Sequence, residues 1–217
     1  ALTNNTAGNN NLAIGFETLK ANVNGGANVA FGTRALLANT WGNYNFAVGT
    51  NSLDANTTGS HNIAHGLFAL SDNTSGHNNI AIGNTSMSSN TTGTFNHGIG
   101  NNALRDNTTG KYNIGIGRLA GYKITTSDNN IAIGYNSLNN VTVGNNNIAI
   151  GINAVTGVIN TVNTVRMGNT SIGQASVQVA WFVSSDLHWK DSVETLAYGL
   201  NLIKELRPVS YLRKGAF

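Results

Sequence analysis

The chain has no cysteine, one proline, and charged side chains at only 10% of its 217 positions. Without cysteine there are no disulfides and no thiolate metal sites, so the sequence carries no sign of its redox compartment. A formal charge of +3, thinly scattered, is too small to suggest nucleic acid as a partner. No run approaches the roughly 20 apolar residues that cross a bilayer, and no signal-peptide pattern opens the sequence, so no membrane insertion is expected. Disorder would need high charge and low hydrophobicity, and 40% apolar content argues against it. What the chain has in excess is 37 asparagines and 26 glycines, a composition that points to repeats.

Glycine recurs at Gly15, Gly32, Gly49 and every 17th residue to Gly168. A second glycine column runs from Gly8 to Gly110, gives way to Ser127 and returns at Gly144. Asparagine fills the column from Asn11 to Asn147 without a gap. Ten units in unbroken register, each carrying N-x-A-I-G or a close variant, predict an all-β parallel solenoid, or β-roll, of ten 17-residue coils over residues 1–168. Seventeen residues leave space for two short strands and two turns but for no useful helix.

Alternation along a strand sends Leu12 and Ile14 to one face and Ala13 to the other. The large pair, with Leu19 and its equivalents Leu36, Leu53, Leu70, Met87, Leu104 and Leu138 on the returning limb, is expected to supply a thin core. The column from Ala13 through Gly98 and Gly115 to Ala149 then faces outward, where small residues admit a neighbouring surface; lateral self-association follows. Stacked asparagines and threonines are expected to form hydrogen-bonded ladders, with glycine supplying positive φ at the turns. At about 4.8 Å per coil the rod measures about 45–50 Å.

After Gly168 the composition changes: 12 charged residues fall in the first 168 positions and 9 in the last 49. Val177, Val179, Trp181 and Val183 alternate as in a strand, within a connecting segment over 169–184. Asp191 to Glu194 has the form of a capping box. Val193, Leu196, Leu200 and Ile203 make a helical seam over about 192–207. Pro208 ends that helix, and Val209 to Leu212 reads as a further strand.

The N-x-A-I-G units resemble the β-roll heads of trimeric autotransporter adhesins and, more closely, the Asn/Thr/Gly-rich repeats of phage and other viral tail fibres. That resemblance implies a homotrimer. The stretch from Ser185 through Asp186 to Lys190, followed by the helix and the turn from Leu206 to Tyr211, resembles the self-cleaving intramolecular chaperones that end endosialidase-type tailspikes. Trp189 stands where that family has leucine, and Ser192 where it often has asparagine. The resemblance implies that residues 185–217 begin such a chaperone. It also makes Ser185 the nucleophile, Lys190 its base, and Ser184–Ser185 the scissile bond. A serine hydroxyl attacks only once a base takes its proton, and lysine serves when burial removes its own charge. Asp186 would orient or cap.

Taken together these resemblances imply a virion fibre or spike shaft at the virion surface. Its partners would be itself, other tail or fibre proteins, and a host receptor or glycan; the head of a bacterial surface adhesin is the alternative. No cofactor and no external substrate are expected. His65 falls in the column of Ile14, Phe31 and Val48, and His97 in the adjoining one. Were that face to line a threefold axis, three copies of His65 would offer a metal or anion site; the plainer reading is a tolerated polar residue. The Thr40 to Thr142 column reads as a turn ladder rather than an ice-binding array. Asn56, Asn90 and Asn107 match the glycosylation pattern, as expected in so Asn- and Thr-rich a chain. Trp41, Tyr44, Phe46 and Phe68 offer aromatic surface without an evident sugar site.

Overall fold

The structure, a computed structural model, describes residues 1–154 and 162–171. The chain divides into two units, Ala1–Gly173 and Gln174–Phe217, and the described residues all belong to the first. The expected linker beyond Ser171, the helix over 192–207, and the residues Ser184, Ser185 and Lys190 lie outside the described residues.

Ten strands of three residues each form one parallel sheet in sequence order: β1 (Leu12–Ile14), β2 (Val29–Phe31), β3 (Phe46–Val48), β4 (Ile63–His65), β5 (Ile80–Ile82), β6 (His97–Ile99), β7 (Ile114–Ile116), β8 (Ile131–Ile133), β9 (Ile148–Ile150) and β10 (Val165–Met167). Leu12 pairs with Val29, Ala13 with Ala30 and Ile14 with Phe31, and the same step of 17 holds through the pairing of β9 with β10. The described residues are therefore the all-β parallel solenoid that the period predicts.

Each coil holds one strand rather than two. On the return limb Glu17 and Leu19 have φ of 53° and 47°, and their equivalents in the following coils repeat this left-handed backbone. Left-handed residues turn the chain instead of extending it, so the limb is a run of turns linked to the next coil by bonds such as Leu19 N–H to the Ala35 carbonyl, 3.0 Å.

The direction of the strand faces reverses the expectation. The alanine column points inward: Ala30, Ala47, Ala64, Ala81, Ala132 and Ala149 are 0% exposed. The flanking large residues point out, with Leu12 53% and Ile14 49% exposed. The reason is the narrowness of the coil. The leucines of the return limb reach across to the strand, leaving space there for a methyl or less. Where the strand carries glycine, the opposing side chain closes in: a Cβ on Gly98 would stand 2.8 Å from Met87 Cγ, and one on Gly115 2.8 Å from Leu104 Cγ. The core therefore pairs small strand residues with the leucine column, and Ala35, Ala69, Ala103, Ala120 and Ala154 line its floor.

Two buried asparagine ladders run along the core. Asn28 Nδ2 donates to Asn11 Oδ1 and to the Gly42 carbonyl, while Asn28 N–H also donates to Asn11 Oδ1; the bonds to the preceding asparagine recur down the column to Asn147, and the carbonyl bond recurs through Asn113. In the second ladder Asn39 Nδ2 donates to Asn22 Oδ1 at 2.8 Å and to the Gly42 carbonyl at 3.0 Å, and so on to Asn107. Each amide of the second ladder thus closes its own turn and grips the coil before it, while each amide of the first joins the coil before it to the coil after. Gly66 shows why the glycine column is strict: its φ is 144°, and a Cβ there would lie 2.4 Å from the Gly83 carbonyl oxygen.

Candidate interaction surface

Because the core takes the small residues, the strand sheet presents two outward ranks of large apolar side chains. One rank runs from Leu12 through Phe46 and Ile80 to Val165, the other from Ile14 through Phe31 and Ile116 to Met167. At about 4.8 Å per rung the stripe is about 48 Å long and two side chains wide. Stripes of this size on a folded chain mark interaction surfaces.

Two ranks of ten hold one histidine each. His65 lies between Val48 and Ile82, and His97 between Ile80 and Ile114; both are exposed. The His65 column is thus on the outer face and not in the core. Among the described residues no three His, Asp, Glu or Cys side chains gather within one chain as metal ligands would.

A second surface lies at the corner just before each strand. Position 44 and its equivalents have φ of 55–60° in every coil, from Asn10 to Asn163. Asparagine fills five of these ten positions, in keeping with its tolerance of left-handed backbone. Coils 3, 4, 6 and 7 instead place Tyr44, His61, Phe95 and Tyr112 there, all exposed. Tyr44 stacks on His61 with ring centroids 5.0 Å apart, and Phe95 on Tyr112 at 5.1 Å and 6° between planes. Tyr44 is the one member of this column singled out by composition; the step of 17 linking 44, 61, 78, 95 and 112 was the signal for the rest. Trp41 is exposed on the preceding turn, where its carbonyl accepts from Asn43 Nδ2, and Phe46 belongs to the outer apolar rank.

The threonine column behaves as a turn ladder: Thr57 Oγ1 donates to the Thr74 carbonyl at 3.0 Å and Thr74 Oγ1 to that of Thr91 at 3.1 Å. Asn56, Asn90 and Asn107 are fully buried members of the second ladder, so no glycosyl transfer can reach them in the folded chain. Charged groups pair locally. Lys20 bonds Glu17 and holds its carboxyl below the usual range. Arg105 bonds Asp106, which raises its pKa, and lies over the Tyr122 ring. Partial burial pushes the Asp54 carboxyl up, against the pull of Arg34 at 3.9 Å.

This fold and surface define a β-solenoid repeat protein with an apolar face that no described residue covers. No family model, no curated protein and no solved structure matches the chain.

Proposed function

We propose that the chain is the shaft of a homotrimeric virion fibre or spike concerned with host attachment. The observation that supports this best is the apolar stripe along the whole sheet, which none of the described residues covers. At about 25 cal/mol per Å² each of its side chains gains on the order of 1 kcal/mol when a neighbour excludes water from it. Repeated along ten rungs, that gain is large enough to offset the cost of association. A second copy presents the same stripe at the same rung spacing, and the scarcity of charge on it removes repulsion between like faces. Three-fold symmetry and virion location rest on the resemblance of the repeats to tail-fibre sequences.

In this reading the C-terminal segment sets the register of the chains. Ser185 Oγ attacks the carbonyl carbon of Ser184 while Lys190 takes its proton. The Ser185 amine leaves as the peptide bond breaks, and water hydrolyses the resulting ester. Two measurements test the proposal. Sedimentation of the wild type should give a trimer mass, and Ile82→Asp with Ile116→Asp should reduce it to a monomer with unchanged far-UV circular dichroism; a wild-type monomer refutes the shaft. A denaturing gel of the complete gene product should show cleavage that Ser185→Ala and Lys190→Ala abolish; equal full-length bands in all three refute self-cleavage.

A further inference from the structure

The aromatic corner column has a gap. In order along the rod it reads Tyr44, His61, Asn78, Phe95 and Tyr112, so two stacked pairs flank one asparagine. Asn78 has the same left-handed backbone as its neighbours, φ 58° against 60° and 58°, so the coil does not deviate at this point. His61 and Phe95 are two rungs apart, about 10 Å by the inter-strand spacing. A ring centred between them would lie about 5 Å from each, the interval already kept within the Tyr44–His61 and Phe95–Tyr112 pairs. The side-chain amide of Asn78 is half-buried and bonds to none of the described residues, leaving a donor and an acceptor at the back of the gap.

We infer that this gap is a binding slot for a neutral pyranose sugar, held between His61 and Phe95 with its hydroxyls toward Asn78. The spacing favours a chair-shaped ring, which is thicker than a flat one and presents C–H groups to both aromatic faces. Charge selects among ring ligands: no lysine or arginine occurs between Arg34 and Arg105, so no guanidinium or ammonium in these coils meets a phosphate or a carboxylate. The rim likewise carries no lysine, arginine or carboxylate, with Ser60 and Thr94 on the adjoining column and His77 Nδ1 accepting from the Ser60 N–H at 3.0 Å. The slot deepens the attachment half of the proposed function by naming the chemistry of the receptor. It is built from one chain, so a wild-type monomer in sedimentation would end the shaft reading and leave the slot standing.

The test uses the full chain and a panel of methyl glycosides of glucose, galactose, mannose and N-acetylglucosamine with short oligomers of each, read by saturation-transfer NMR. At least one member should receive saturation on its ring protons. Asn78→Tyr completes the aromatic column with a residue native to it, so it should fold and yet weaken that binding by about tenfold or more. His61→Asn and Phe95→Asn, which place the column's commonest residue, should weaken it comparably. Tyr112→Asn, behind Phe95, should change it less than about twofold. Silence across the whole panel, binding of p-cresol without any saccharide, or wild-type affinity in Asn78→Tyr would each overturn the proposal.

Discussion

Ile124 fills the space that Gly121 leaves in the core: a Cβ on Gly121 would lie 3.1 Å from Ile124 Cδ1 and 2.7 Å from Leu104 Cδ2. Gly121 stands in the leucine column and Ile124 in the column of Asn22 to Asn107, so coil 8 has exchanged the two chemistries. The exchange ends the second asparagine ladder. Asn107 donates to Asn90, but no amide follows to donate back, and its Oδ1 is a buried acceptor without a partner among the described residues. Ser127 replaces the turn glycine in the same coil, where its Oγ accepts from Gly144 N–H and donates to the Thr142 carbonyl.

Residues 121 and 124 should therefore be strongly coupled. Gly121→Leu alone clashes and Ile124→Asn alone leaves a void, but together they restore the pattern of the other coils and give Asn107 Oδ1 a donor. A double-mutant cycle on urea midpoints should return a favourable coupling of about 1–3 kcal/mol. Additive effects would show that the exchange is incidental.

Ladder position should decide what an asparagine is worth. Asn73→Ala strips Asn56 Oδ1 of its donor and Asn90 Nδ2 of an acceptor, both buried. Two orphaned groups should cost about 2–4 kcal/mol. Asn107→Ala orphans only the Asn90 side, because nothing donates to its own oxygen, and should cost visibly less. Hydrogen exchange of the flanking turns distinguishes the two.

A glycine inside a column and one outside should differ in tolerance. Gly66→Ala combines a φ of 144° with backbone oxygen 2.4 Å from the new Cβ. The substitution should cost more than about 2 kcal/mol. At Gly26 the nearest atom is 3.2 Å away, and alanine there should fall within about 1 kcal/mol of wild type by thermal melting.

Neighbouring residues on one strand should separate folding from association. Ala81→Leu overfills the core and should cost about 1–3 kcal/mol in the single chain. Ile82→Thr, on the outer face, should leave chain stability nearly unchanged and lower the sedimenting mass at dilution.

The raised Asp54 carboxyl carries its own pH signature. Folding favours its protonated form, so this contribution to stability is complete below the ordinary aspartate range and is lost as pH rises through the elevated folded value. Asp54→Asn should remove that decline. Because the group is partly exposed and near Arg34, the difference between the two denaturation midpoints should be small and positive for the variant near neutral pH. A variant that is less stable there than wild type would mean that the Arg34 pair outweighs burial.

The period is legible in the sequence because every coil repeats the same contacts, and the glycine, asparagine and threonine columns follow from it directly. Which strand face turned inward was not legible. Ile14 is the more apolar residue and Ala13 the smaller, and hydrophobicity alone favours burying Ile14; the reach of Leu19 across the narrow coil decides for Ala13. That the return limb is a run of turns and not a second strand is not legible for a related reason, since leucine with φ near 50° has no signature in a single sequence. Asn78 carries no signal in the sequence, because one asparagine among 37 is distinguished only by its neighbours in space, His61 and Phe95.

The bonds between coils run along the long axis, so a pull on the two ends loads them one rung after another. A coil peeled away frees 17 residues, about 55–60 Å of extended chain, while the intact rod shortens by only about 4.8 Å. Under tension such a strand would pay out in uniform steps, roughly tenfold its own rung height each time, and yield gradually where a globular domain would give way at once.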